Sequence, residues 1–360
     1  MKPFKPRELP LADVIRQEEF IKELIAANKY LASYESAIKY SKINPDFFIK
    51  PLMRNEATLS SKIEGSRVTL DEALEHDEED MVEHNETQEV LNYHKALIAG
   101  ERLLEKLPLS SRLLKRLHEI LLGNNVRGAG RAPGEFRRVQ NFIGPPGSTL
   151  ENASFVPPSP ELVDGYMSNL DNYINLYDDF DELVKIAIIH AQFETIHPFL
   201  DGNGRIGRIL IPLYLYYKKV TVKPYFFLSE TLEKDKFKYY SLLNSVRFDD
   251  NWNGWIKFFL EAVIKQARLN IERVEKINEL YERHLNLVRS LTKSHNAAII
   301  LDMMFYSPIF TVKSMSKLTH LDYQACNRII KSFEEHNIIY SNGLKRNTKY
   351  YYYDLLDLIR

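Results

Sequence analysis

The stretch LVKIAIIHAQFETIHPFLDGNGRIGRILIPLYLYYKK, residues 183–219, holds two mostly apolar segments at helical spacing, joined by twelve residues of different character, His197 to Arg208. Pro198 disfavours helical geometry at the residue before it, so His197 is expected where the first helix stops. Gly202-Asn203-Gly204 can take positive φ and turn successive backbone N–H groups into one concavity. A second helix follows at once, adding the positive end of its dipole, which makes an anion site of the kind phosphates use. Arg205 and Arg208 are three apart and share a helix face, so both guanidiniums are expected on the same phosphates. Asp201 offers a hard oxygen suited to the Mg²⁺ that accompanies a nucleotide. His197 is then a titratable base placed to take a proton from an attacking hydroxyl, and Phe199 anchors the loop in the core. Singly, each feature has an ordinary structural explanation as a cap, a turn or an ion pair. Together they favour a site.

Around this stretch the chain of 360 residues is near neutral, with 48 Lys+Arg against 49 Asp+Glu, and 44% of it is hydrophobic. That length suggests two or three domains with real cores, and global disorder is excluded. The charge balance argues against a surface built throughout for nucleic acid, without excluding a local patch. The single cysteine, Cys326, excludes an intrachain disulfide framework and a Cys-rich zinc site. A start of MKPFKPRELP without an apolar core, and no apolar run near 18 residues, point to a cytoplasmic protein that does not enter membranes.

Helical periodicity recurs almost everywhere, and four parts are expected. Residues 1–95 form an N-terminal helical region ending in an acidic run: Glu75 to Glu89 holds eight carboxylates and no Lys or Arg, read as a solvated helix face or linker. Residues 96–260 form the core, interrupted by the Gly/Pro-rich segment 131–160, an extended piece or loose hairpin. Residues 261–292 continue a long connecting helix whose apolar stripe runs from Ala267 to Val288. Residues 293–360 read as helix, helix–turn–helix and a short ribbon about Asn342-Gly343, that is, a winged helix-turn-helix. That last part has nine Lys/Arg against six Asp/Glu, a net of +3. Contact of this module with DNA and with protein stand level, Arg328 and Lys331 on the second helix and Lys345 and Arg346 at the ribbon being the DNA candidates. His190, seven residues before His197, is read as packed, because no third metal ligand lies near it.

HPFLDGNGRIGR resembles the HxFx(D/E)GNGRxxR signature of the Fic domain family, and GEFRR (134–138), Asn141 to Gly144 and SFVPPSP (154–160) resemble its upstream context. Ser60-Ser-Lys-Ile-Glu64-Gly65 resembles the family's inhibitory pattern, (S/T)xxxE(G/N). The resemblance implies a mainly α fold: a helical core with a β-hairpin flap, an N-terminal helical region and a C-terminal winged helix-turn-helix. It implies a protein adenylyltransferase that moves AMP from ATP to a Ser, Thr or Tyr hydroxyl, with ATP and Mg²⁺ required. His197 would be the base and Asp201 the metal ligand. Gly202, Asn203, Gly204, Arg205 and Arg208 would bind the phosphates, Arg208 at the γ-phosphate, with Tyr240 beside the adenine. Glu64, with Ser60, would hold Arg208 and block productive binding of ATP, and Asn141, Phe142, Ile143 and Phe155 would form the flap that aligns a target. Gly204, in place of the Lys found in a kinase-like branch, favours AMP transfer. Protein substrates, the chain itself among them, and a homodimer are the partners implied. Three alternatives remain: removal of AMP, another nucleotide donor, and a DNA-binding regulator acting through 293–360.

Overall fold

A computed structural model describes residues 2–76, 85–124, 126–144, 147–149 and 151–360. Its helices are α1 (Ile21–Lys39), α2 (Pro45–Ile63), α3 (Leu70–Leu74), α4 (Asn85–Leu104), α5 (Ser111–Leu121), α6 (Pro160–Leu176), α7 (Glu182–Ile196) and α8 (Asn203–Tyr217). There follow α9 (Ser229–Lys234), α10 (Lys236–Asp249), α11 (Trp252–Leu291), α12 (His295–Tyr306), α13 (Val312–Thr319), α14 (Tyr323–Glu335) and α15 (Tyr353–Ile359). The strands β1 (Ile309–Thr311), β2 (Tyr340–Ser341) and β3 (Lys349–Tyr351) make an antiparallel sheet in the order β1–β3–β2. The fold is thus mainly α.

The chain packs into two compact units: Met1–Leu31, Leu59–Arg67 and Met81–Ala267 in one, and Ala32–Thr58, Val68–Asp80 and Arg268–Arg360 in the other. Both are discontinuous in sequence, since α1, α2 and α11 each begin in one and end in the other.

In the first unit α7 is buried from Leu183 to Ile196. A mostly apolar helix buried all round belongs at the centre of a core, and α6, α8 and α10 pack on it while α4 packs on α5 and α8. The Asp181 carboxylate starts α7 by accepting from the Leu183 N–H at 2.9 Å. Trp255, fully buried, donates its indole N–H to the Ala187 carbonyl at 2.8 Å and ties the start of α11 to this helix. The end falls where Pro198 requires: His197 is the C-cap, left-handed at φ 50°. α8 starts at Asn203, three residues before the apolar pattern begins at Ile206, because Gly202 (φ 77°) turns the chain straight into its first turn.

The acidic run is corrected at its end. Residues 77–84 lie outside the described residues, but Glu89 on α4 is only 2% exposed, with an arginine as its partner. Glu86 accepts from the Ser66 hydroxyl at 3.1 Å and the Arg67 N–H at 2.8 Å. A count of charges cannot separate a solvated face from one that meets a buried cation.

In the second unit, α13 starts in a reciprocal capping box between Thr311 and Ser314, and Asp322 caps α14 through the Gln324 and Ala325 N–H groups. Cys326, Ile329, Ile330 and Phe333 are the buried stripe of α14. The expected ribbon is β2–β3, with Tyr340 opposite Tyr351 and Gly343 at φ 73° between the strands. Among the described residues no helix is long and apolar enough to cross a membrane.

Candidate active site

The loop between α7 and α8 is held from three sides. Arg137 caps α7: its side chain donates to the carbonyls of His197 (2.9 Å), Ile196 (3.3 Å) and Pro158 (2.5 Å), neutralising the negative end of the helix beside the histidine. The Asn203 side chain clasps Phe199, accepting from its N–H and donating to its carbonyl, each at 2.8 Å. His118 stacks on the Phe199 ring at 3.8 Å and 9°. Because the Gly134 N–H donates to His118 Nδ1 at 2.9 Å, the ring proton sits on Nε2 and is donated to the Asp201 carbonyl at 3.0 Å. Burial pushes the His118 pKa down to about 4, so that ring is neutral.

His197 therefore has a fixed backbone, while its Nδ1 is buried, without a hydrogen bond of ordinary length and with the Glu194 carbonyl as its nearest backbone influence. Burial, then the nearby charges of Arg247 and Arg137, push its pKa down to about 3. Arg247 sits behind it, donating to the Glu194 carbonyl at 3.0 Å and the Thr195 hydroxyl at 3.3 Å, with its guanidinium 4.1 Å from the Phe155 ring centre. Burial lowers its pKa to about 10.

The two arginines of α8 do not share partners. Arg205, 1% exposed, pairs with Glu89 at 2.9 Å and reaches Asp201 Oδ1 at 3.4 Å. Its guanidinium lies inside the core with these two carboxylates, apart from the place among the phosphate ligands expected of it. Both ends of the Asn203 amide hold Phe199, and its backbone N–H, in the first turn of α8, is left to face an anion. Arg208, by contrast, meets the end of α2. It donates from Nε to the Ser60 hydroxyl at 2.8 Å, and its terminal nitrogen donates to the Ser60 carbonyl at 3.0 Å and Glu64 Oε1 at 2.7 Å. Burial alone would raise the Glu64 pKa, but Arg208 outweighs it and the carboxylate titrates below its usual range. Gly204 makes room for this contact: a Cβ there would collide with Glu64 Oε1.

The remaining expected residues divide. Tyr240 is 37% exposed at the rim, and burial followed by the Glu64 charge raises its pKa. In the flap, Ile143 and Phe155 form one antiparallel bridge, at 2.8 and 3.0 Å. Asn141 donates to the Phe199 carbonyl at 3.0 Å, and Phe142 is 42% exposed. The Phe155 ring is buried against Phe4 and Phe248, and its backbone makes the flap bridge. His190 donates from Nδ1 to the Gly207 carbonyl and accepts at Nε2 from the Tyr239 hydroxyl, both at 2.9 Å, so it is a packed histidine.

Pattern reading missed Glu89, Arg137, Glu194 and Arg247. Glu194, three residues before His197, is 6% exposed, its Oε1 lacks a hydrogen-bond partner, and burial pushes its pKa up to about 7. A carboxylate inside a mostly apolar helix, three residues before the candidate base, is a signal that could have found it. Arg247, on α10, had none.

Among the described residues no group of three or more His, Cys, Asp or Glu could hold a metal ion. Asp201 alone fits a divalent cation carried in by phosphates: its side chain is 31% exposed, Oδ1 accepts from the Gly202 N–H at 2.6 Å, and Oδ2 faces Gly128 uncommitted.

A histidine at a helix end, opening onto a glycine turn and a helix N-terminus, is the build of an anion-handling site between two buried helices. The Fic/DOC family profile matches residues 108–215, and the profile of that family's N-terminal region matches residues 21–102. The chain belongs to the Fic/DOC family. A probable protein adenylyltransferase of Aquifex aeolicus is 27% identical over 165 residues, 46% of this chain and 48% of that one. The protein adenylyltransferase Fic of Drosophila grimshawi is 29% identical over 149 residues, 41% of this chain and 28% of that one. The matches thus span about half, or less, of these relatives' length. A Fic family protein from Desulfovibrio desulfuricans G20 shares the fold, with a TM-score of 0.58 and 17% identity over 98% of both chains.

Proposed function

We propose that this chain is a protein adenylyltransferase that moves AMP from ATP to a side-chain hydroxyl of a protein and is held back by Glu64. The observation that carries the reading is His197, fixed at its backbone by the Arg137 contact to its carbonyl and placed at the end of α7 just before the glycine turn that opens α8. The triphosphate would lie over the first-turn N–H groups of α8, where the helix dipole favours negative charge. His197 takes the proton of a Ser, Thr or Tyr hydroxyl, whose oxygen forms a bond to the α-phosphorus as the bond to pyrophosphate breaks. A histidine with a pKa near 3 is a weak base. The cause is burial among cations, and a bound triphosphate supplies the opposite charge that raises it. A Mg²⁺ ion, when bound, neutralises phosphate charge, and the Asp201 carboxylate is the group that would hold it. Arg205 positions that carboxylate from beneath. Tyr240 at the rim is the candidate wall for the adenine.

Glu64 occupies Arg208, the cation suited to the far phosphate, so ATP in its productive pose has to displace the carboxylate. The flap supports the same reading, since Phe142 and its backbone form an exposed edge on which an extended target segment can pair. Mass spectrometry after incubation with Mg-ATP tests the reaction class. A gain of one AMP on this chain or an added protein is expected, with a loss of about 10²–10⁴-fold in His197→Ala. An undiminished gain in that variant would refute the assignment of the base.

A further inference from the structure

The second unit contains a surface that AMP transfer does not use. Of the six acids in residues 293–360, four are tied down: Asp302 by the Tyr281 hydroxyl (2.9 Å), Asp354 by Arg283 (2.9 Å), Asp357 by Arg360 (2.9 Å), and Asp322 as the cap of α14. Two of the nine cations are also spent, Lys349 on Glu75 at 2.8 Å and Arg360 on Asp71 and Asp357. The cations of the helix pair and the ribbon tip are different. Lys313, Lys317, Arg328, Lys331, Lys345 and Arg346 are all exposed, and among the described residues none has an ion pair.

Their placement has an order. The buried stripe of α14 leaves Gln324, Arg328 and Lys331 on its exposed side with Asn327 half-buried beside them, while its two unpaired acids, Glu334 and Glu335, fall in the last turn. The N-terminal two-thirds of α14 therefore presents amide and basic side chains, the types that read base edges and phosphates, and the acids lie at the far end. Tyr323, 53% exposed, adds a hydroxyl at the first turn. The ribbon between β2 and β3 carries Lys345 and Arg346 at its exposed tip.

We propose that the second unit binds duplex DNA, with the N-terminal part of α14 in the major groove and the β2–β3 tip against the neighbouring backbone. A protein partner would need acidic groups to meet the same six cations, and it would leave the Gln324–Asn327–Arg328 edge without a role. A DNA duplex uses both features.

Fluorescence anisotropy of a labelled random-sequence duplex, titrated with the full chain between about 50 and about 200 mM salt, tests this. Binding is expected to weaken steeply with salt, with a log–log slope no steeper than about −5, the ceiling set by six cations. Arg328→Glu with Lys331→Glu should weaken it tenfold or more, and Lys317→Ala should reduce the slope by about 1. AMP transfer and the melting curve should not change in either variant. No binding at low salt, an unchanged affinity in the double variant, or tighter binding to polyglutamate or single-stranded RNA than to the duplex would each overturn the proposal. Loss of AMP transfer in His197→Ala leaves DNA binding intact if the proposal holds, so the two functions fail separately.

Discussion

Arg205 and Arg208 leave neighbouring positions on α8 and each meets a glutamate, at 2.9 and 2.7 Å, but the two clusters are built from different parts of the chain. Arg205 meets Glu89, which is 2% exposed on α4, in a pair closed off from water on both sides. Arg208 meets Glu64, whose side chain is 31% exposed and follows the last residue of α2, just before Gly65 at φ 96°. That end of α2 is moored by exchangeable polar contacts, the Lys236 ammonium on the Ile63 carbonyl and Lys62 on Glu233 at 3.1 Å. Identical chemistry thus gives a closed strut in one place and, in the other, a water-accessible pair that can serve as the proposed latch. The deciding variable is whether water, or a phosphate, can reach the carboxylate's side of the pair.

The largest effect should come from breaking the strut. Glu89→Ala leaves the Arg205 guanidinium buried with only the 3.4 Å contact to Asp201, and should cost about 3–5 kcal/mol of stability. Urea unfolding measures it, and a loss below about 1 kcal/mol would mean that Arg205 reaches water and that the two clusters are alike. The latch should respond in the opposite sense. Glu64→Gly leaves Arg208 bonded to Ser60, so stability should fall less than in Glu89→Ala. AMP incorporation should meanwhile rise about tenfold or more, equivalent to about 1.4 kcal/mol of released inhibition. Labelled ATP reads the rate, and an unchanged rate would reduce the Glu64 contact to a plain ion pair.

The difference between the clusters also marks where reading the sequence stops. The order His197-Pro198…Gly202-Asn203-Gly204…Arg208 encodes a helix stop, a left-handed turn and a helix start, all local features of the backbone, and the structure has each one. Arg205 and Arg208 look equivalent in that order, because spacing specifies a shared face but not what packs against it. Their partners lie 116 and 144 residues away in the chain, and periodicity carries no information about such pairing. Glu89 was hidden for the same reason: in an acidic run it resembles its solvated neighbours, and only the packing of α4 on α8 shows it to be a counter-ion. Ser60 and Glu64 could be found because a family pattern preserves a long-range contact that spacing cannot supply. Phe155 shows the same limit from the other side: its place in an extended segment is legible, while the burial of its ring against Phe4 and Phe248 depends on distant residues.

The smallest expected effect joins the latch to a group beneath it. Glu194 is held near neutral pH by burial, with a pKa of about 7, and it feels Arg208, Glu64 and Arg247 in that order. Its folded-state pKa is raised, so its protonated form contributes stability in full below the ordinary carboxylate range, and that contribution is lost as pH climbs through about 7. Glu64 has the opposite sign: its pKa is depressed, so its contribution is present above the ordinary range and is lost only in more acidic solution. Between pH 5 and about 8 the latch is therefore flat, and Glu194 adds a falling slope on the order of 1–3 kcal/mol. The buried neutral rings of His118, His190 and His197 oppose it with a rising one, so it is read as the difference between the chain and Glu194→Gln. Glu194→Gln should remove that slope. In Glu64→Gly the like charge disappears and Arg208 turns its full field on Glu194, so the midpoint of the slope should move to lower pH. Thermal melts across that range measure both effects, and a midpoint unmoved by Glu64→Gly would show that the two carboxylates do not compete for the same guanidinium.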